Sequence, residues 1–346
     1  MKELSTIIEK VQACKELGFE DGMLLMNSRN LPLTGALADY ARKKTVGDRV
    51  MFVTNCHINY SNICISKCKF CAYFREEGQK GAFTLTIDEI MEKAQKASRM
   101  GATELHIVGS LNPKLPFEYY EEMLRRLHEK FPKMSLKAYT AVEIAYLAEQ
   151  SGMGVKEVLL RLKDAGLSSL PGGGGEIFNE KIRNKLCPNK ISGERWLEVM
   201  ATAHMLGIKS NATMLYGHIE TNEDIVDHIL RIRKLQKKTN GFQAFIPLSF
   251  HPDNTKLQTI KAATGFDDLK IIAVSRLLLN GYVNNIKAYW VMVGEKLAQI
   301  ALHYGANDID GTVMEERITH AAGGASPEYM LFRFGFIHNE IVIFNS

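Results

Sequence analysis

From residue 50 onward, short apolar runs alternate with helical stripes, and no other feature of the chain limits its fold so strongly. Val50-Met51-Phe52-Val53-Thr54-Asn55 reads as a strand buried on both faces. Thr86-Ile87-Asp88-Glu89 is a capping box, and Ile87, Ile90, Met91, Ala94 and Ala97 continue it as one helical stripe. Further strands are predicted over 104–109, 136–140, 167–170, 210–215, 242–248, 283–290 and 308–309. Helical patterns fall between them, over 117–130, 142–150, 156–165, 267–279 and 296–303, with another opened by Thr221 and Asp224. Each strand runs into a polar or glycine-bearing loop. Such βα repetition implies a parallel sheet, and at this length a closed α/β barrel of the (β/α)8 TIM type is the economical solution. The polar loops then gather at the C-terminal mouth. A doubly wound open sheet is the alternative, weakened because no GxGxxG turn follows the first strand.

Residues 1–49 read as an N-terminal helical cap, 50–325 as the barrel, and 326–346 as a C-terminal helix and tail. The first 19 residues mix Lys2, Glu3, Glu9 and Lys10 with apolar residues at helical spacing, unlike a signal peptide. The most apolar later run, 271–279, is interrupted by Arg276 and is too short to span a bilayer. A cytoplasmic protein without a membrane partner is expected. A net charge of +4 with no dense Lys/Arg run gives no case for nucleic acid.

Of six cysteines, Cys64, Cys68 and Cys71 stand together at CxxxCxxC spacing directly after the first barrel strand. Thiolates suit iron–sulfur clusters and zinc. Three of them can hold three irons of a 4Fe–4S cluster and leave the fourth iron open. Structural zinc needs a fourth ligand, for which Cys56 or His57 are the neighbours to hand. Cys14, Cys56 and Cys187 read as small buried side chains.

This loop, with Phe70 before its last cysteine, resembles the radical S-adenosylmethionine (SAM) superfamily. The resemblance implies that Cys64, Cys68 and Cys71 hold a 4Fe–4S cluster whose free iron takes the amino and carboxylate groups of SAM. One electron then cleaves the sulfonium to methionine and a 5′-deoxyadenosyl radical. It also implies that Phe70 and the backbone near Tyr73 lie against the adenine, and that Gly109 and Ser110 receive the SAM amino group. A reducing partner such as flavodoxin or ferredoxin is implied too.

Longer segments are similar to the aminofutalosine synthases of the futalosine route to menaquinone. These are Leu170-Pro171-Gly172-Gly173-Gly174-Gly175-Glu176-Ile177-Phe178, Ala212-Thr213-Met214-Leu215-Tyr216-Gly217-His218-Ile219-Glu220, Phe245-Ile246-Pro247-Leu248-Ser249-Phe250-His251-Pro252 and Asn307-Asp308-Ile309-Asp310-Gly311-Thr312-Val313. The similarity runs from about residue 20 to 325, and the tail departs from that family's Arg-Asp-Thr-x-Tyr ending. It implies that the adenosyl radical adds to the vinyl carbon of 3-(1-carboxyvinyloxy)benzoate, with loss of carboxylate, to give 6-amino-6-deoxyfutalosine. Dehypoxanthine futalosine cyclase and the deazaflavin-forming synthases are sibling alternatives, and a non-catalytic Fe–S or zinc module is one of another class.

A substrate with two carboxylates calls for cations or N–H donors at the mouth. Arg75, His218, His251 and Lys287 are the candidates by position, Arg75 for its planar fork. His106 is either barrel-facing or a satisfied core histidine. The four-glycine run is either a flexible loop or a close backbone approach to a ligand, with Gly173 and Glu176 as contacts.

Overall fold

A computed structural model describes residues 2–324 and 341–343. Its centre is a curled, all-parallel sheet of eight strands: β2 (Thr54–Ile58), β3 (Glu104–Ile107), β4 (Ser135–Ala138), β5 (Ser169–Leu170), β6 (Lys209–Tyr216), β7 (Phe242–Ser249), β8 (Asn285–Ile286) and β9 (Thr312–Met314). The strands stand in sequence order from β2 to β8, and β9 pairs with the other edge of β2. A short strand β1 (Val50–Phe52) precedes β2 and pairs with β10 (Ile341–Ile343). Asn307–Asp310 runs between the β8 edge and the β1 segment. It bonds to Ile286 and Ala288 on one side and to Met51 and Val53 on the other. The arrangement is the (β/α)8-type architecture expected from the βα alternation.

The helices cover the outside: α4 (Ile87–Arg99), α5 (Phe117–Lys130), α6 (Ala141–Ser151), α7 (Val155–Asp164), α8 (Glu180–Leu186), α9 (Gly193–Met205), α10 (Asn222–Thr239) and α11 (Gly265–Leu279). The capping box at Thr86 forms: its hydroxyl accepts from the Glu89 N–H, while the Glu89 carboxylate accepts from the Thr86 N–H at 2.7 Å. Thr221 and Asp224 repeat it on α10. Ahead of the sheet, α1 (Lys2–Gln12), α2 (Phe19–Asn27) and α3 (Leu31–Val46) lie against the outer helices, α2 on α10 and α3 on α11.

Not every expectation holds. The apolar run at 283–290 is a strand only over Asn285–Ile286. Trp290, fully buried, starts a one-turn helix and donates its indole N–H to the Gly311 carbonyl at 2.9 Å. Continuous apolar runs do not separate buried strand from buried helix by periodicity. Helices α8 and α9 were not anticipated, because the glycine run before them obscured a helical stripe that starts at the Asn179 cap. The expected C-terminal helix and tail fall outside the described residues, apart from β10.

Candidate active site

The cysteine loop leaves β2 and is fixed by backbone bonds within itself and to three other segments. Cys64 N–H bonds to Arg75 O, Ile65 N–H to Leu111 O, and Lys69 N–H to Leu186 O at 2.8 Å, while Lys256 N–H reaches Lys69 O. Lys67 takes the left-handed backbone (φ 48°) that turns the chain between the first two cysteines. Cys64, Cys68 and Cys71 all line one wall of a cavity of about 340 Å3 at the C-terminal ends of the strands. Cys68 shares a thiol hydrogen bond with buried Cys187, which together with burial pushes its thiol up; burial likewise raises Cys71.

Opposite the cysteines lies the glycine run. Its carbonyls are all engaged: Gly172 O accepts from the Thr213 hydroxyl at 2.7 Å, Gly173 O from the Trp196 indole at 3.0 Å, and Gly174 and Gly175 from the buried Arg183 guanidinium. A side chain at Gly172 would sit 2.7–2.8 Å from the backbone of Asn211 and Ala212, and Gly174 has φ +85°. The run is therefore a pinned turn, and the flexible-loop alternative is excluded by these bonds. Gly173, Gly174 and Glu176 face the cavity.

Glu176 is buried with a left-handed φ of 44° and pairs with Lys190 at 2.7 Å. Burial pushes its carboxyl up, but Lys190, with Arg183 and His218, more than offsets this and leaves it below the ordinary range. The Lys190 ammonium also stands 5.2 Å over the Phe70 ring, which lines the cavity. Gly109 packs directly on Tyr60, where a Cβ would approach the ring to 2.5 Å, and its N–H donates to Glu143. Glu143 is thereby tied to Gly109, Tyr60 and Thr140 at once. Gly109 and Ser110 both line the cavity.

The four proposed anion-binding residues divide. His251 lines the cavity and holds the Met292 carbonyl at 3.0 Å. Lys287 lines it too, held by Asp310 and by Asp308 at 3.5 Å. Arg75 does not line the cavity: its Nη1 donates to the carbonyls of Ala72 and Phe74, and at 3.4 Å to Tyr73, closing the cysteine loop on itself. His218 does not reach it either. Its ring is locked between the Leu215 carbonyl and the Ile219 N–H beside Glu220, so it shapes the turn after β6. The Tyr73 ring packs edge-on to Phe83, while Ala72 and Phe74 on either side of it line the cavity.

Other cavity residues escaped attention in the sequence. Lys137 and Glu143 fell inside an ordinary predicted strand and helix, and Lys190 lay in a stretch to which no element was assigned. His106 proves barrel-facing, stacked on His57 with ring centroids 4.5 Å apart. Burial drives His57 down to about 4 and His106 to about 3, so both are neutral. The expected cationic mouth is present only in paired form: Lys137 is matched by Glu104, Lys190 by Glu176, and Lys287 by Asp308 and Asp310.

Residues 58–232 match the radical SAM superfamily, and residues 239–332 match the CofH/MqnC C-terminal region. The chain is 44% identical over 329 residues to aminodeoxyfutalosine synthase of Thermus thermophilus, covering 94% of this chain and 88% of that one. The chain belongs to the radical SAM superfamily. Within this superfamily it is also 42% identical over 317 residues to 5-amino-6-(D-ribitylamino)uracil–L-tyrosine 4-hydroxyphenyl transferase 2 of Methanosarcina mazei, covering 90% and 81% of the two chains. Among solved structures it resembles methylornithine synthase (TM-score 0.69, 20% identity, 90% of this chain and 87% of that one). It also resembles the FeFe-hydrogenase maturase HydG of Carboxydothermus hydrogenoformans (TM-score 0.71, 17% identity, 96% and 75%). As a radical SAM enzyme it uses a 4Fe–4S cluster and SAM.

The donor set suits that cluster. Three soft thiols share one wall of the cavity, the ligand type that iron–sulfur clusters take. No described helix is long and apolar enough to cross a membrane.

Proposed function

We propose that the protein is an aminofutalosine synthase, joining the 5′-deoxyadenosyl group of SAM to the vinyl carbon of 3-(1-carboxyvinyloxy)benzoate with loss of the enolpyruvyl carboxylate. The observation that carries this is convergence. The segments that resemble aminofutalosine synthases are scattered from residue 170 to 313, yet they meet at the cavity under the cysteines. Gly173, Glu176, Thr213, Leu248, His251 and Asp310 all line it.

Cys64, Cys68 and Cys71 would hold the cluster, which when bound would supply the electron that cleaves SAM. Phe70 flanks the adenine, the pinned turn at Gly173 and Gly174 presents backbone to the nucleoside, and Glu176 offers a carboxylate to its hydroxyls. Gly109 and Ser110, steadied by Glu143, meet the amino acid end. His251 and Lys287 face the second substrate. The chamber is walled by Val108, Leu111, Val142, Ile246 and Leu248, which keep water from the reacting centre. A one-electron donor of the flavodoxin or ferredoxin type completes the cycle.

The 42% identity to a tyrosine 4-hydroxyphenyl transferase favours a second assignment, deazaflavin-type coupling. One anaerobic experiment separates the two. Cluster-loaded protein is incubated with dithionite, SAM and 3-(1-carboxyvinyloxy)benzoate, and in parallel with tyrosine and the ribitylaminouracil. Aminodeoxyfutalosine in the first vessel is expected. Free 5′-deoxyadenosine there, with coupled product only in the second, overturns the assignment.

A further inference from the structure

The floor of the cavity carries a feature that the roles above leave unused. Strands β2, β3 and β4 are in register, so that His57 stands opposite His106, and His106 opposite Lys137. Residues opposite one another on neighbouring strands point to the same face. All three line the cavity, and they form one horizontal row across three adjacent strands. His57 and Lys137 are each only 8% exposed. Beside the row, at an irregularity in the β6–β7 register, Asn211 also lines the cavity and is 5% exposed.

Among the described residues, none of these side chains has its hydrogen-bonding capacity filled. Neither imidazole has a hydrogen-bond partner on its ring nitrogens, the Asn211 amide has none, and Lys137 has a single contact, with Glu104 at 2.5 Å. Buried polar groups are ordinarily paired. Buried His57, Asn211 and Lys137 and half-buried His106 turn unfilled hydrogen-bonding positions into one cavity, which marks a place for a ligand. Donors outnumber acceptors: the ammonium hydrogens not turned to Glu104, one N–H from each neutral imidazole and the two amide hydrogens of Asn211 stand against one ring nitrogen per imidazole and the Asn211 oxygen. Glu104 offsets the lysine charge, so the row recognises through directed N–H groups rather than through a bare positive field. A carboxylate matches the donors.

We propose that the row His57, His106 and Lys137, with Asn211 beside it, is the subsite that takes a carboxylate borne on the substrate's aromatic ring. This rests on the enolpyruvyl-ether assignment. In that substrate the vinyl carbon must face the adenosyl group near the cysteines, at the loop end of the chamber. The enolpyruvyl carboxylate sits on the same three-carbon unit. The ring carboxylate lies at the far end, beyond the ether oxygen and the ring. The row lies on the strands themselves, below the loops, where that far end arrives. Recognition here sets how deeply the substrate enters, and so which carbon is presented to the radical.

The test is a ligand cycle that needs no turnover. Two unreactive analogues, 3-(1-carboxyethoxy)benzoate and 2-phenoxypropanoate, differ only in the ring carboxylate. Their binding to cluster-loaded protein with SAM is measured by anaerobic calorimetry. Wild type is expected to bind the ring-carboxylate analogue about tenfold more tightly or better, the size of a hydrogen bond to a charged group. Lys137→Met and His106→Phe should each remove most of that preference, with the affinity for 2-phenoxypropanoate changed by less than about twofold. Lys137→Met paired with Glu104→Gln avoids leaving a buried carboxylate alone and serves if the single change does not fold. Equal affinity of wild type for the two analogues, or equal weakening of both by the variants, overturns the subsite. Should the preference appear while wild type makes no aminodeoxyfutalosine, the subsite stands and the reaction assignment falls. Should product form with no preference between analogues, the reverse holds.

Discussion

At the scale of single residues, the site is a set of buried ions that hold one another. Lys190 is the clearest case: its ammonium contacts Glu176 at 2.7 Å, stands over Phe70, and lies close enough to Cys68 and Cys187 for each thiol to feel its charge. Removing one partner of such a pair leaves the other charged, buried and unmatched, at a cost of about 3–5 kcal/mol. Lys190→Met is therefore expected to lower the melting temperature sharply, and Lys190→Met with Glu176→Gln to restore most of the loss; equal melting of single and double variants would count against the pairing. Cys68→Ala behaves differently. It removes one small side chain, so the melt should move little while SAM cleavage, read as 5′-deoxyadenosine, disappears. Retained cleavage would remove Cys68 from the ligand set. Arg75 shows the limit of residue type as a guide. A guanidinium near a mouth suggests anion binding, but this one satisfies three carbonyls of its own loop, a demand that only the folded loop creates.

At the scale of elements, the seam between β5 and β6 controls the shape of the chamber. Gly172 lets the two backbones approach so closely that even a methyl group would meet Asn211 and Ala212 at under 3 Å. Backbone in a strand cannot step aside as a flexible side chain can. Gly172→Ala is expected to destabilise by about 2 kcal/mol or more, as overpacked sites do, seen as a lowered urea midpoint. A midpoint within error of wild type would show that the seam has slack. By contrast, the caps at Thr86 and Thr221 were legible from spacing alone, because a capping box is closed by residues three apart in sequence.

At the scale of the whole molecule, burial of uncharged histidines links stability to acidity. His57 and His204 are pushed down to about 4, and His106 and His228 to about 3, with burial the leading cause in each. The unfolded chain takes up protons at these positions below about pH 6.5, and the folded chain does not until pH 4 or lower. Their contribution is therefore complete above about pH 6.5 and is lost as pH falls toward 4, at roughly 1 kcal/mol per histidine per pH unit. Urea midpoints should be flat above pH 7 and fall steeply from pH 6.5 to 5; a flat profile across that lower range contradicts the burial of these rings in neutral form.

Read by itself, the sequence determined the alternation of strands and helices, and hence the (β/α)8-type sheet with its loops on one face. It also determined that three cysteines stand in the first of those loops. These are local properties, carried by hydrophobic period, capping chemistry and short spacings. Tertiary structure alone decided which polar residues share the chamber. Arg75 and His218 were placed outside it and His57, His106 and Lys137 inside it, although nothing in their immediate neighbours separates the two groups. The reason is register. Whether a strand residue faces the axis, and what stands opposite it, depends on how strands from 30 or more residues away align, as His57, His106 and Lys137 do.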